Sequence, residues 1–311
     1  MTKQHISLSK PLFRDPKHDG AADPMLVIAE NGDIWMFYTS RRAKLEAEGN
    51  QWFFGTQIGV AILKKGSSDF EYKGEIDLNF EDGVNTFWAP DIKNVDGVYH
   101  MFVTYSSGIS DRWRTDYRMA HYTSSNLWDW KFEQLLDMVP GTIDASVTEI
   151  STGHFRMWYK RCNEGVCGLY YADSNNLVDW EEKGLAIEDR MIEGPNVFIW
   201  KGSYWMIVDT WTGQDVYHSS DAVDWEYQTR ILDKPGNYEG DYNFGHHASV
   251  LIKDNRAFIT YFTHNIDIRS KEAKNLNYSY DVRRSYVQIA EIRLVDGNIV
   301  CDRNAKVCLL N

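Results

Sequence analysis

One short unit recurs five times along this chain, and that recurrence limits its fold more than any other feature. Each unit opens with a polar residue at the start of an apolar run. The five openings are Ala22-Asp23-Pro24-Met25-Leu26-Val27-Ile28, Trp88-Ala89-Pro90-Asp91-Ile92, Thr142-Ile143-Asp144-Ala145-Ser146-Val147, Met191-Ile192-Glu193-Gly194-Pro195-Asn196-Val197-Phe198 and Gly245-His246-His247-Ala248-Ser249-Val250-Leu251. With Asp23, Asp91, Asp144, Glu193 and His247 as markers, the spacings are 68, 53, 49 and 54 residues (23 to 91, 91 to 144, 144 to 193, 193 to 247). Repeats of that length with strand-like content predict the four-stranded blades of a β-propeller. Pro soon after an opening is tolerated at a strand start, where no ladder donor is needed.

The rest of each unit keeps the same register. Second strands rich in aromatics and Met follow: Ile34-Trp35-Met36-Phe37-Tyr38, Tyr99-His100-Met101-Phe102-Val103, Phe155-Arg156-Met157-Trp158-Tyr159, Tyr204-Trp205-Met206-Ile207-Val208 and Ala257-Phe258-Ile259-Thr260-Tyr261. Turn signals precede them, such as Asn31-Gly32, Asp96-Gly97 and Lys201-Gly202. A Ser/Asn/Asp turn ending in an aromatic recurs before the outer strand, in Ser68 to Tyr72, Ser125 to Trp130, Ser174 to Trp180 and Ser220 to Trp225. That aromatic is expected to fill the gap between blades. The fifth unit lacks it and runs through Asp296-Gly297-Asn298 instead. The expectation is an all-β protein, a five-bladed β-propeller of four-stranded antiparallel blades, with residues 1–311 as one domain. A pair of β-sandwiches competes, and five matching units disfavour it. Long loops are expected at Arg42–Gln51 and Arg269–Asp281.

Charge narrows the partners. With 33 Lys and Arg against 45 Asp and Glu, the net charge is −12, which disfavours nucleic acid and anionic membranes. No apolar run is long enough to span a bilayer. The start, Met1-Thr2-Lys3-Gln4-His5, does not read as a signal peptide, so a cytoplasmic location is expected, with a periplasmic or secreted one as the alternative. The four cysteines read as thiols, with a bridge between Cys162 and Cys167 across a hairpin left open. Twelve Trp, 18 Tyr and 14 Phe suit both blade packing and a sugar-binding face.

In a propeller the inner strands converge on one axis, so their starts face a common pocket. Four carboxylates gathered at one mouth repel one another at a cost that chemistry or a cation justifies. Two carboxylates in different environments are what glycoside hydrolysis needs. Glu193, after the apolar pair Met191-Ile192, suits the protonated acid, and Asp23, in a polar run, suits the base. Asp144 is placed to hold the acid's proton by like charge.

The ordered set Ala-Asp-Pro, Trp-Ala-Pro-Asp, Ile-Asp, Glu-Gly-Pro and His-Ala-Ser resembles glycoside hydrolase family 43 along essentially the whole chain. The resemblance implies that Asp23 is general base, Asp144 modulates pKa and orients, and Glu193 is general acid, with inversion at the anomeric carbon. It also implies that His247 lies near the axis beside a Ca2+ or Na+ ion, with no cofactor required for the chemistry. Two departures stand out: Ala145 follows Asp144 where Pro is common, and His246 replaces a usual Gly. Propellers that use a His as acid keep His246 and His247 open in that role.

Around these, Trp88 either stacks a sugar face or packs between blades, and Asp91, His247, Arg41, Arg284 and Trp211 are candidate substrate contacts. Arg42 and Arg283 read as loop charges. The expected activity is exo-acting hydrolysis of arabinofuranosyl, xylosyl or galactose-type oligosaccharides or side chains. An inactive sugar-binding propeller and a phosphorylase or transferase on the same fold are the alternatives.

Overall fold

The computed structural model describes residues 5–163 and 165–310. A short strand, β1 (His5–Ser7), precedes the first blade, β2 (Ala21–Ile28), β3 (Ile34–Ser40), β4 (Ile58–Leu63) and β5 (Glu71–Ile76). The second blade is β6 (Asn85–Val95), β7 (Val98–Ser107), β8 (Arg118–Ser124) and β9 (Lys131–Leu135). The third is β10 (Ile143–Ser151), β11 (His154–Asn163), β12 (Val166–Ser174) and β13 (Glu181–Glu188). The fourth is β14 (Glu193–Trp200), β15 (Ser203–Asp209), β16 (Gln214–Ser219) and β17 (Glu226–Ile231). The fifth is β18 (His246–Lys253), β19 (Arg256–His264), β20 (Ser285–Val295) and β21 (Asn298–Cys301), and β22 (Cys308–Leu310) pairs antiparallel with β1. Every blade is a four-stranded sheet of sequence-consecutive strands, so the five-bladed architecture read from the repeats is the one observed.

Blades pack through the aromatics that the outer turns supply. Trp130 meets Phe37 of the first blade edge-on, Trp180 meets Phe102 of the second, and Trp225 meets Trp158 of the third. Phe70 packs in the cluster that holds Phe258 of the fifth blade, closing the ring. Burying a large apolar side chain contributes about 1.5–3 kcal/mol, so one such residue at each of these four seams is a substantial share of that seam's stability.

The five inner strands share one irregularity. Each has a β-bulge near its start, at Ala22/Met25, Trp88/Asp91, Ile143/Ser146, Glu193/Asn196 and His246/Ser249. At each bulge one residue takes positive φ: Asp23, Ala89, Asp144, Gly194 and His247. The strain is real for a side chain with Cβ, and bulges recur next to functional sites. These five are the structurally equivalent positions, and the residues just before them (Ala22, Trp88, Ile143, Glu193, His246) form a second equivalent rank.

Two residues after the bulge, side chains staple four of the five blade junctions. Asp91 accepts from the Val147 N–H at 2.9 Å, Ser146 from Val197 N–H at 2.9 Å, and Asn196 from Val250 N–H at 2.9 Å. Ser249 Oγ donates to the Pro24 carbonyl and joins the fifth blade to the first. The first blade has Met25 at this position and reaches the second through Thr39 Oγ1, which accepts the Ala89 N–H at 2.9 Å. Cys162 and Cys167, opposite each other in the β11–β12 hairpin, are joined as a disulfide, so the thiol reading is corrected for that pair; Cys301 and Cys308 are free thiols.

Candidate active site

The two ranks of inner-strand residues open into a cavity of about 730 Å3, within the usual size of small-molecule sites. Asp23, Asp144, Glu193, Trp88, His247, Arg41 and Trp211 all line it. Asp23, Asp144 and Glu193, spread over 170 residues of chain (23 to 193), are thus brought to one hollow by the ring of blades.

Asp23 is gripped from two sides. Arg41 Nη2 lies 3.1 and 3.4 Å from its two carboxylate oxygens, and His247 Nδ1 is 3.4 Å from Oδ1. Arg41 itself is held between the rings of Phe53 and Phe262, at 5.2 and 4.7 Å. A planar guanidinium clamped by aromatic faces fixes the direction of the carboxylate it pairs with.

Asp144 receives the Gly194 N–H at 3.3 Å, and its own N–H goes to Thr104 Oγ1 at 3.0 Å. Burial pushes its carboxyl up, with the charge of Asp23 adding and that of His247 opposing. At Glu193 burial again dominates, and the charges of Asp144, Asp209 and Asp23 push in the same direction, so this carboxyl sits well above its usual range. Lys160 is the opposing charge. Burial and the charges of three carboxylates act together on Glu193, which favours its protonated form.

Lys160 stands opposite Ile143 in the β10–β11 ladder and is buried behind the acid. Its Nζ donates to the carbonyls of Asp189 and Arg190, both at 3.1 Å. Asp209, opposite Glu193 in the next ladder, was not singled out in the sequence. It accepts the N–H groups of His247 at 2.8 Å and Trp211 at 2.6 Å and faces His246 Nδ1 at 3.3 Å. Burial disfavours its charge, but His246 and those N–H groups outweigh burial and hold it below the usual carboxylate range. The signal for it was available: Thr39 and Thr104 occupy the same place in the first two blades, where each caps the next blade's turn through Ala89 N–H and Asp144 N–H.

Two sequence candidates lie elsewhere. Asp91 does not line the cavity; it is buried below it as the staple to Val147, beside Lys93 at 3.5 Å. Asp91 lies two positions past the bulge residue of that blade, which is Ala89, so it is not equivalent to Asp23, Asp144 and His247. Arg284 also misses the cavity: it pairs with Asp281 at 3.0 Å and donates to Tyr286 Oη at 2.8 Å. Arg42 and Arg283 brace the first-blade loop through the carbonyls of Gln51 and Leu45.

Both expected long loops border the site. The β3–β4 loop brings Trp52 and Phe53, and the β19–β20 loop, which carries the short helices α1 (Lys271–Asn275) and α2 (Tyr280–Arg283), brings Ile268, Arg269 and Tyr278. Trp88 is only 9% exposed and donates Nε1–H to the Phe53 carbonyl at 2.7 Å, so most of its surface serves packing. Among the described residues no group of three or more His, Cys, Asp or Glu side chains is arranged to hold a metal ion. His247 turns its Nδ1 to Asp23. Among the described residues no helix is long and apolar enough to cross a membrane.

No family model matches the chain. A curated relative, the 1,2-beta-oligomannan phosphorylase of Thermoanaerobacter sp. (strain X514), is 25% identical over 154 residues, 49% of this chain and 49% of that protein. The match thus spans about half the length of that relative. Solved structures agree over nearly the whole fold. A thermostable family-43 glycoside hydrolase superposes with a TM-score of 0.70 at 19% identity, covering 93% of this chain and 95% of that one. A family-43 β-xylosidase/α-arabinofuranosidase from a compost microbial metagenome, solved with xylotriose, gives 0.70 at 13% identity, covering 97% and 98%. A family-43 β-1,3-galactosidase gives 0.65 at 14%, covering 95% and 98%. The chain has the five-bladed propeller fold of glycoside hydrolase family 43 structures.

Proposed function

We propose that the protein is an inverting glycoside hydrolase acting from the end of arabinofuranosyl, xylosyl or galactose-type oligosaccharides or side chains. One observation carries this reading: Glu193, a buried carboxyl held towards its protonated form, shares a cavity with Asp23, a carboxylate aimed by Arg41 and His247. Glu193 gives its proton to the glycosidic oxygen as the bond to the anomeric carbon breaks. Asp23 draws a proton from the water that attacks that carbon from the opposite face, so configuration inverts. Asp144 favours the protonated form of Glu193 before transfer and, through Gly194, positions the strand that carries it. The similar β-xylosidase/α-arabinofuranosidase and β-1,3-galactosidase structures support the sugar classes.

Phosphorolysis is a second reading, favoured by the phosphorylase relative and by Arg190 and Arg269, which line the cavity with Arg41. There inorganic phosphate replaces water as the attacking group. A screen of aryl pentosides and hexosides and of short oligosaccharides, with and without phosphate, tests both, with product anomers followed by NMR. Free sugar of inverted configuration without phosphate supports hydrolysis. A sugar 1-phosphate formed only with phosphate replaces hydrolysis by the second reading, and no turnover on any of them overturns both.

A further inference from the structure

The cavity has an apolar side that the carboxylates do not explain. Its wall is built from two loops, the β3–β4 loop of the first blade and the β7–β8 loop of the second. Trp52, Phe53, Trp88 and Tyr117 form a buried aromatic cluster there. On top of it lies Trp113, 56% exposed, with its ring 5.0 Å from Phe53 and 6.1 Å from Trp88. Leaving that much indole in water is unfavourable, and exposed aromatics fixed in place mark binding surfaces.

Trp113 is held firmly. Asn50 N–H donates to the Asp111 carbonyl at 2.9 Å, which docks one loop on the other. Arg114 N–H reaches Tyr117 Oη at 2.9 Å, and the Arg114 guanidinium pairs with Asp116 and the Ser107 carbonyl. Gly49 is required at the junction, because a Cβ there would meet the Asp111 carbonyl oxygen at 2.4 Å.

A second exposed apolar residue borders the mouth. Met191, 44% exposed, lies two residues before Glu193. Its segment is fixed by Asp189 Oδ1, which accepts the Met191 N–H at 2.7 Å, and by Lys160. Depth separates the two kinds of lining. The carboxyls of Asp23, Asp144 and Asp209 are buried at the floor, whereas Trp113 and Met191 are at the rim. A sugar whose bond is cleaved must reach the floor, so whatever leaves must lie at the rim.

We infer that Trp113, with Met191 beside the acid, forms a binding platform for the leaving group, and that this group is a second sugar ring presenting an apolar C–H face. The inference rests on the glycosidase reading above. Flat indole against the C–H face of a ring gives shape selectivity without hydrogen bonds. It favours substrates of at least two rings over glycosides with a small leaving atom.

Two measurements test it separately from the activity. Kinetics compare a trisaccharide with the glycosyl fluoride of its terminal sugar, which has no ring to leave. Trp113→Ala should lower the trisaccharide-to-fluoride ratio of kcat/KM by about tenfold, the worth of one aromatic stacking contact. Trp113→Phe, which retains an aromatic face, should recover most of that ratio. Calorimetric binding to Glu193→Gln protein compares the trisaccharide with its terminal monosaccharide. The trisaccharide should bind more tightly, and Trp113→Ala added to that background should remove about a tenfold share of the difference. An unchanged ratio and an unchanged binding difference overturn the platform. Failure of every wild-type turnover with a Trp113-dependent trisaccharide preference intact overturns the hydrolase reading and leaves the platform standing.

Discussion

The acidity of Glu193 is set by charges of both signs, so two substitutions should move one observable in opposite directions. The observable is the alkaline limb of the pH profile of kcat/KM, where the general acid loses its proton. The Gly194 N–H, one residue past Glu193, reaches Asp144 Oδ2 at 3.3 Å, which makes the two carboxyls near neighbours. At an effective dielectric of about 20 a like charge is worth about 4 kcal/mol at roughly 4 Å and proportionately less farther off, so a neighbouring carboxylate is worth on the order of one to two pH units. Water in the cavity screens part of this, so Asp144→Asn should lower the alkaline limb by about one unit. Asn also suits the positive φ at this position, so the backbone stays put. Lys160 acts with the opposite sign, because its charge favours ionised Glu193. Lys160→Met fills the same space and should raise the limb, by less than one unit, since the Nζ is shared with the carbonyls of Asp189 and Arg190. The assay is kcat/KM from about pH 4 to 10 on the best substrate of the screen. An alkaline limb that stays fixed in both variants, or that moves the same way in both, refutes the electrostatic account of Glu193.

Further outcomes follow from the same geometry. Glu193→Gln and Asp23→Asn should each cut turnover by at least about a hundredfold with thermal unfolding little changed, which activity and melting curves check. Gly194→Ala should destabilise by about 1–3 kcal/mol in urea unfolding, because φ is +56° and the new Cβ would lie 2.9 Å from the His247 ring. Stability should fall on acidification through two histidines. Burial pushes His121, stacked on His100 near Glu133, down to about 4, and His264 down to about 3. The folded state therefore binds fewer protons than the unfolded chain below about pH 6.5. That stability is complete above about 6.5 and drains away as pH drops towards those values, at up to about 1.4 kcal/mol per pH unit for each group. Urea midpoints measured at pH 7.5, 6 and 5 check the slope, and a flat series contradicts it.

The architecture was legible because each blade announces itself in local pattern. Turn, apolar strand, second turn and aromatic-rich strand recur, and the aromatic after the outer turn marks the seam, as Trp130, Trp180 and Trp225 show. The site was legible to the extent that its residues start inner strands: Asp23, Asp144, Glu193 and His247 all reach the cavity. Asp91 was misplaced because register near a bulge depends on which residue takes positive φ, and Ala89 carries no chemical mark of that. Arg284 was misplaced because two adjacent arginines in a loop say nothing of which way each points. Trp113 was missed for a related reason. Its position comes from two loops docking through backbone groups, at Asn50 and Asp111, and such contacts have no periodicity to read. Asp209 was hidden at the far end of a second strand, where it replaces the Thr of the first two blades.

The shared bulge has a consequence for how such a protein changes over time. Its five left-handed positions are equivalent sockets, two of them filled by carboxylates, one by an imidazole, one by a methyl group and one by no side chain at all. In the four that already carry a Cβ the backbone strain is present, so exchanging one side chain for another there requires no new fold, whereas Gly194 is closed by the His247 ring. A ring built this way can redraw its reaction geometry, and with it its preferred sugar, by point substitution at sites that the scaffold keeps permanently open to use.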